Sequence, residues 1–135
     1  MARSYRGVIS YARETGGEFG REFFTATVET DGTRTIRCLC EMDDIGLVRD
    51  VTYTVDAEFL AIDCFVRVTS ENRFIGSGWF HFTDTYAEGE TFSAANGRVS
   101  HRLPANGRPR LFGTHPISID IWKCIHIDRS RPYEV

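Results

Sequence analysis

The strongest constraint on this chain is a two-residue alternation of apolar and polar side chains, cut at short intervals by turn residues. Successive side chains of an extended strand point to opposite faces, so this period favours half-buried β-strands over helices. Residues 21–29 (REFFTATVE), 33–42, 47–56, 61–70, 73–82, 91–94 and 98–103 read as strands on this pattern. Asp31-Gly32 and Asn96-Gly97 fall between such runs, and these dipeptides readily adopt the positive φ of tight hairpins. Glu71-Asn72 is the expected turn joining 61–70 to 73–82. Residues 117–128 (ISIDIWKCIHID) alternate most cleanly and read as the last strand. Helix signals are thin. Tyr11 to Arg21 holds two adjacent glycines and no 3.6-residue stripe, and 85–90 (TYAEGE) is short, so one or two helical turns at most are expected.

About eight to ten short strands joined by tight turns indicate an all-β fold, either an up-and-down barrel or a sandwich. The sequential hairpins and long strands favour a single antiparallel meander barrel spanning 1–135, since closure removes exposed strand edges. A β-sandwich is the alternative. A chain of 135 residues suits one domain, and no repeat or linker divides it.

The formal charge is −3, with arginines and acidic residues interleaved throughout. No basic stripe of the kind that tracks a phosphate backbone is present, which argues against nucleic acid. Lys123 is the only lysine. The first residues, MARSYRGVISYARE, lack the apolar core of a signal peptide, and no run approaches the ~20 apolar residues of a membrane span. A cytoplasmic protein without membrane insertion is expected, with Cys38, Cys40, Cys64 and Cys124 as reduced thiols.

Splitting the strands into faces exposes a second pattern. In 61–70, Ile62, Cys64, Val66 and Val68 share one face, while Asp63, Phe65, Arg67 and Thr69 share the other. In 73–82 the faces are Phe74, Gly76, Gly78, Phe80 and Phe82 against Arg73, Ile75, Ser77, Trp79 and His81. In 117–128, Ile117, Ile119, Ile121, Ile125 and Ile127 oppose Ser118, Asp120, Trp122, Cys124, His126 and Asp128. Two orientations fit. Either the mixed aromatic and ionisable faces line an interior, as ligand sites are mostly apolar with a few placed polar groups, or the aliphatic faces fill it. Gly76 and Gly78 mark either strong strand curvature or room for a ligand.

Chemical motifs are weak. His81 and His126, beside Trp79 and Trp122, could form an acid–base pair with Asp120 or Asp63, though a hydrogen-bonded structural histidine is the simpler assignment. His115 precedes Pro116 and suits a loop. Cys38-Leu39-Cys40 has no matching second pair, so no metal site is expected and the cysteines read as small buried hydrophobes. No nucleophile elbow or phosphate-binding glycine motif occurs, and no cofactor is implied. Arg67, or Arg98 or Arg102 near His101, could grip an acidic head group.

In size, meander order and interleaved aromatic and arginine faces the chain resembles the calycins, the lipocalin-like small lipid-binding barrels. The segments GSGWFHF and FGTHPISIDIW resemble those of bacterial proteins described as lipid-binding with lipocalin-like folds. The lipocalin Gly-X-Trp marker is absent, because Ser77 stands two residues before Trp79. The resemblance implies noncatalytic binding of a hydrophobic or aromatic small molecule inside the barrel, and the mixed faces nominate Arg67, Trp79, His81, Asp120, Trp122 and His126 to line the site. Two further readings stand beside it. One is a small barrel isomerase, cyclase or hydratase using His81, His126 and Asp120. The other is a structural module with a filled core that forms a homodimer through an exposed sheet face.

Overall fold

The hairpin signals assemble one continuous sheet. The computed structural model describes residues 1–110 and 116–123. Eight strands occur in it: β1 (Arg3–Ala12), β2 (Glu18–Val28), β3 (Arg34–Met42), β4 (Leu47–Val55), β5 (Ala61–Ser70), β6 (Arg73–Phe82), β7 (Tyr86–Ser93) and β8 (Gly97–Pro104). All neighbours are antiparallel and the spatial order equals the chain order, β1 through β8. One short helix, α1 (Ile117–Lys123), follows. The fold is therefore all-β, a single meander sheet with minimal helix. Among the described residues the sheet does not close on itself: β1 and β8 each pair on one side only.

Three local expectations need correction. The segment from Ile117 is helical, not extended, as far as Lys123; Cys124, Ile125, His126, Ile127 and Asp128 lie outside the described residues, as does His115. TYAEGE opens strand β7, and β1 is a strand that its weak alternation did not announce. The β7–β8 turn is not a two-residue turn, because Ser93 pairs with Gly97 and Ala94–Asn96 form a three-residue loop closed by Gly97 at φ 67°. The Glu71-Asn72 turn is as expected, with both residues at positive φ (49° and 62°).

One face of the sheet carries the core: Ile36, Cys38 and Cys40 on β3, Val51, Tyr53 and Val55 on β4, Cys64 on β5 and Phe82 on β6. Two phenylalanines shape it. Phe24 leans across β1, so close over Gly7 that a Cβ there would lie 2.5 Å from the ring. Phe80 leans the opposite way, onto Gly78 and Gly89, where a Cβ would meet the ring at 3.1 and 2.9 Å. Gly78 thus makes room for an aromatic ring of its own strand rather than for a ligand. The two rings tilt outward, and the central strands between them offer the small side chains Cys38, Cys40 and Cys64. The result is a trough.

α1 fills that trough. Ile119 is completely buried, and the Trp122 ring packs 5.9 Å from Tyr53 and 6.4 Å from Phe59. Residues 105–110 form a strap after β8. The Ala105 and Gly107 N–H groups donate to the Thr85 and Asp84 carbonyls (2.9 and 2.8 Å), and Ala61 N–H donates to the Pro109 carbonyl (2.9 Å). The Arg108 guanidinium pairs with Asp56 and, at 3.5 Å, with Asp84.

The helix is held by one buried carboxylate. Glu22, with no exposed surface, accepts hydrogen bonds from Ile117 N–H (2.9 Å), Ser118 N–H (2.7 Å) and the Tyr11 hydroxyl (2.6 Å). Ser118 Oγ lies 3.0 Å from Cys38 Sγ. Burial on its own would raise the Glu22 pKa, but the bonds from Ser118, Tyr11 and Ile117 outweigh it and hold the carboxyl below its ordinary range. Tyr11 is shifted the other way, upward, first by burial and then by its bond to Glu22.

Candidate functional site

The face opposite α1 is covered by no element among the described residues, and it carries the mixed side chains. The pairing register sorts them into rows across the strands. Over β5–β8 the central row is Phe65, Trp79, Glu90 and Ser100. One flanking row is Asp63, His81, Glu88 and Arg102, and the other is Arg67, Ser77, Phe92 and Arg98. The aliphatic faces thus pack the core and the mixed faces of β5 and β6 look outward. Phe74 belongs with the latter: the register shifts between Val68 and Thr69, so Phe74 crosses to the open face and stacks on Phe92 (6.0 Å, 22°).

Trp79 is the centre of this half. It is 39% exposed, lies cross-strand from Phe65 and stacks almost parallel to His81 (5.6 Å, 7°). His81 Nδ1 stands 3.2 Å from Glu88 Oε1, and the Tyr86 ring meets His81 edge-on at 6.5 Å. The Arg102 guanidinium covers Tyr86 at 3.7 Å, Arg67 lies over Phe74 at 5.6 Å, and Arg98 Nε bonds Glu90 at 2.6 Å. Two shallow depressions flank Trp79. One, of about 260 Å³, runs between Phe65, Ser77 and Phe92; the other, of about 230 Å³, runs between Glu88, Ser100 and Arg102. Their surfaces are aromatic floors edged with charge, suited to stacking and to directed hydrogen bonds.

Of the residues nominated from the sequence, Arg67, Trp79 and His81 share this face. Asp120 and Trp122 belong to α1, across the sheet, and Trp122 is part of the core packing. His126 lies outside the described residues. The carboxylate that His81 meets is Glu88, not Asp63 or Asp120. Tyr86, Glu88 and Glu90 were hidden because only 91–94 of β7 was read as strand, too short a run to sort Phe92 onto a face; over the whole of β7 alternation places all four on one face. His101 shares the other face with Gly89, so it does not join Arg98 and Arg102.

The three described cysteines, Cys38, Cys40 and Cys64, are core residues. Burial pushes the Cys38 thiol up to about 11 and those of Cys40 and Cys64 up to about 12, so none is a thiolate near neutrality. Among the described residues no cluster of three or more His, Cys, Asp or Glu is placed to hold a metal ion, and no helix is long and apolar enough to cross a membrane. No family model, curated protein or solved structure matches this chain.

Proposed function

We propose that this protein is a noncatalytic binding module for a hydrophobic or aromatic small molecule, held against the aromatic platform of β5–β7 with Trp79 at its centre. The observation that carries the reading is the outward Trp79 ring, stacked with His81 and continuous with Phe65, on a face that no described element covers. An exposed indole of this kind is the preferred surface for a flat apolar partner. Arg67 and Arg102 flank the platform and would orient a polar substituent. The ligand class is the one that the calycin resemblance suggests, but its seat is the open face, since α1 occupies the other. We keep the barrel as part of the proposal in a reduced form: the meander is the wall of an incomplete barrel wrapped on α1, in keeping with strand order β1 to β8 and the fully buried Ile119.

The test uses the chain with Trp122→Phe, which leaves Trp79 as the sole indole, and neutral 2-naphthol as ligand. Saturable quenching is expected, and Trp79→Ala should weaken binding, followed by calorimetry, by about tenfold, the size of a lost aromatic stack. Quenching that never saturates, or affinity indifferent to Trp79→Ala, would reject the platform.

The His81–Glu88 contact favours a second reading, a small isomerase, cyclase or hydratase in which His81 moves a proton and Glu88 fixes its tautomer. Under that reading His81→Ala leaves affinity intact and removes turnover.

A further inference from the structure

We propose that the β1–β4 half of the open face is a separate site for an amphipathic carboxylic acid, with the carboxylate on Arg6 and Arg37 and the apolar body over Val8, Phe23 and Leu39. The register places Arg6, Thr25 and Arg37 in one row across three adjacent strands. Strands lie about 4.8 Å apart, so the two arginine backbones are roughly 10 Å apart, a gap that two long side chains can close on one carboxylate. Both arginines are exposed, and among the described residues neither has an ion-pair or hydrogen-bond partner. Arg21, on the same face, is by contrast engaged with Glu41 and Asp43. Two like charges held over one threonine are relieved by an anion between them, and the guanidinium fork matches a carboxylate.

The neighbouring row supplies the rest of the ligand's surroundings. Val8, Phe23 and Leu39 lie side by side across β1, β2 and β3. Val8 is 61% exposed and Phe23 40%, which is unusual for adjacent large hydrophobic residues unless something covers them. Together with the two arginines they line a depression of about 580 Å³, within the ~300–1,000 Å³ typical of small-molecule sites. Asp50, cross-strand from Leu39 and opposite Arg67, closes the β4 end. Its carboxylate repels an acid there, which sets the ligand's direction with the head group toward β1–β3.

The full chain is titrated calorimetrically with decanoate, decanol and inorganic phosphate. One saturable decanoate site is expected, with decanol and phosphate each at least tenfold weaker, since one lacks the charge and the other the apolar body. Arg6→Gln combined with Arg37→Gln should weaken decanoate at least tenfold, whereas Trp79→Ala should change it less than twofold. The proposal is overturned by absent saturation, by decanol or phosphate matching decanoate, or by the double variant binding as the parent does. A loss on Trp79→Ala equal to that of the double variant would also overturn it, by moving the acid to the platform, and would leave the preceding reading standing.

Discussion

Replacing Glu22 by alanine should undo the docking of α1. The carboxylate is completely buried and accepts from three strong donors, the Ile117 and Ser118 N–H groups and the Tyr11 hydroxyl, at 2.6–2.9 Å. Alanine takes the acceptor from all three, of which the Ser118 N–H and the Tyr11 hydroxyl belong to buried residues and the Ile117 N–H is part-buried. Each buried donor without a partner costs about 1–3 kcal/mol, and partial relaxation of α1 makes the sum less than additive, so a loss of about 3–5 kcal/mol is expected. That is a large share of the ~5–15 kcal/mol that holds a typical domain together. Glutamine keeps one acceptor but turns an N–H₂ group toward the same donors, so Glu22→Gln should fall between alanine and the parent. The assay is urea unfolding in a Trp79→Phe background, where Trp122, packed on Tyr53 and Phe59, is the sole indole and reports α1 directly. The pH dependence has a defined sign. Because the folded carboxyl titrates below its ordinary range, the charged form is the stabilising one. Its contribution is present in full above the unfolded value of about 4.3 and is lost as pH falls through the lower folded value. A Glu22→Ala cost under about 1 kcal/mol, or Trp122 emission unmoved by the substitution, would refute the latch.

Gly7→Ala places a methyl 2.5 Å from the Phe24 ring and should cost about 1–3 kcal/mol in a thermal melt, where a change within 0.5 kcal/mol would contradict the ring's position. Cys38, Cys40 and Cys64, buried and protonated, should alkylate at pH 8 only as fast as the protein unfolds; site-mapped mass spectrometry that finds them labelled at once would refute their burial. Asp56→Ala should loosen the strap, since one carboxylate oxygen accepts from Glu58 and Leu60 N–H and the other from Arg108, and earlier proteolysis near Arg108 is the measurable sign.

Much of the sheet was legible in the chain. Residues 61–70 and 73–82 become β5 and β6 at the expected bounds, because alternation and the Glu71-Asn72 turn agree. The faces of β5 were also readable, since period-two patterning survives wherever one side is buried. What could not be read is which side would be buried. That depends on α1, and α1 depends on Glu22, 95 residues before Ile117. Locally, Ile117, Ile119 and Ile121 spell a strand. The buried carboxylate instead takes the N–H groups of Ile117 and Ser118, and the burial of Ser118 and Ile119 follows the helix. Tertiary contacts overrode propensity there. Trp79 and Trp122, alike in sequence setting, consequently end on opposite sides of the sheet. Phe74 changed faces for a smaller reason, one shift of register in the β5–β6 pair.

Among the described residues β1 and β8 each keep one unpaired flank, and this bears on how copies of the protein meet. Neither strand contains an acidic residue, while β1 carries Arg3 and Arg6 and β8 carries Arg98 and Arg102. Any edge-to-edge addition, β1 to β1, β8 to β8 or β1 to β8, therefore brings guanidinium toward guanidinium. Repulsion does for these flanks what closure does in a full barrel, and it acts over a Debye length of about 10 Å at 0.1 M salt. Ionic strength is thus the control on self-association: concentrated salt should lengthen the sheet from one molecule into the next, and dilution should part them.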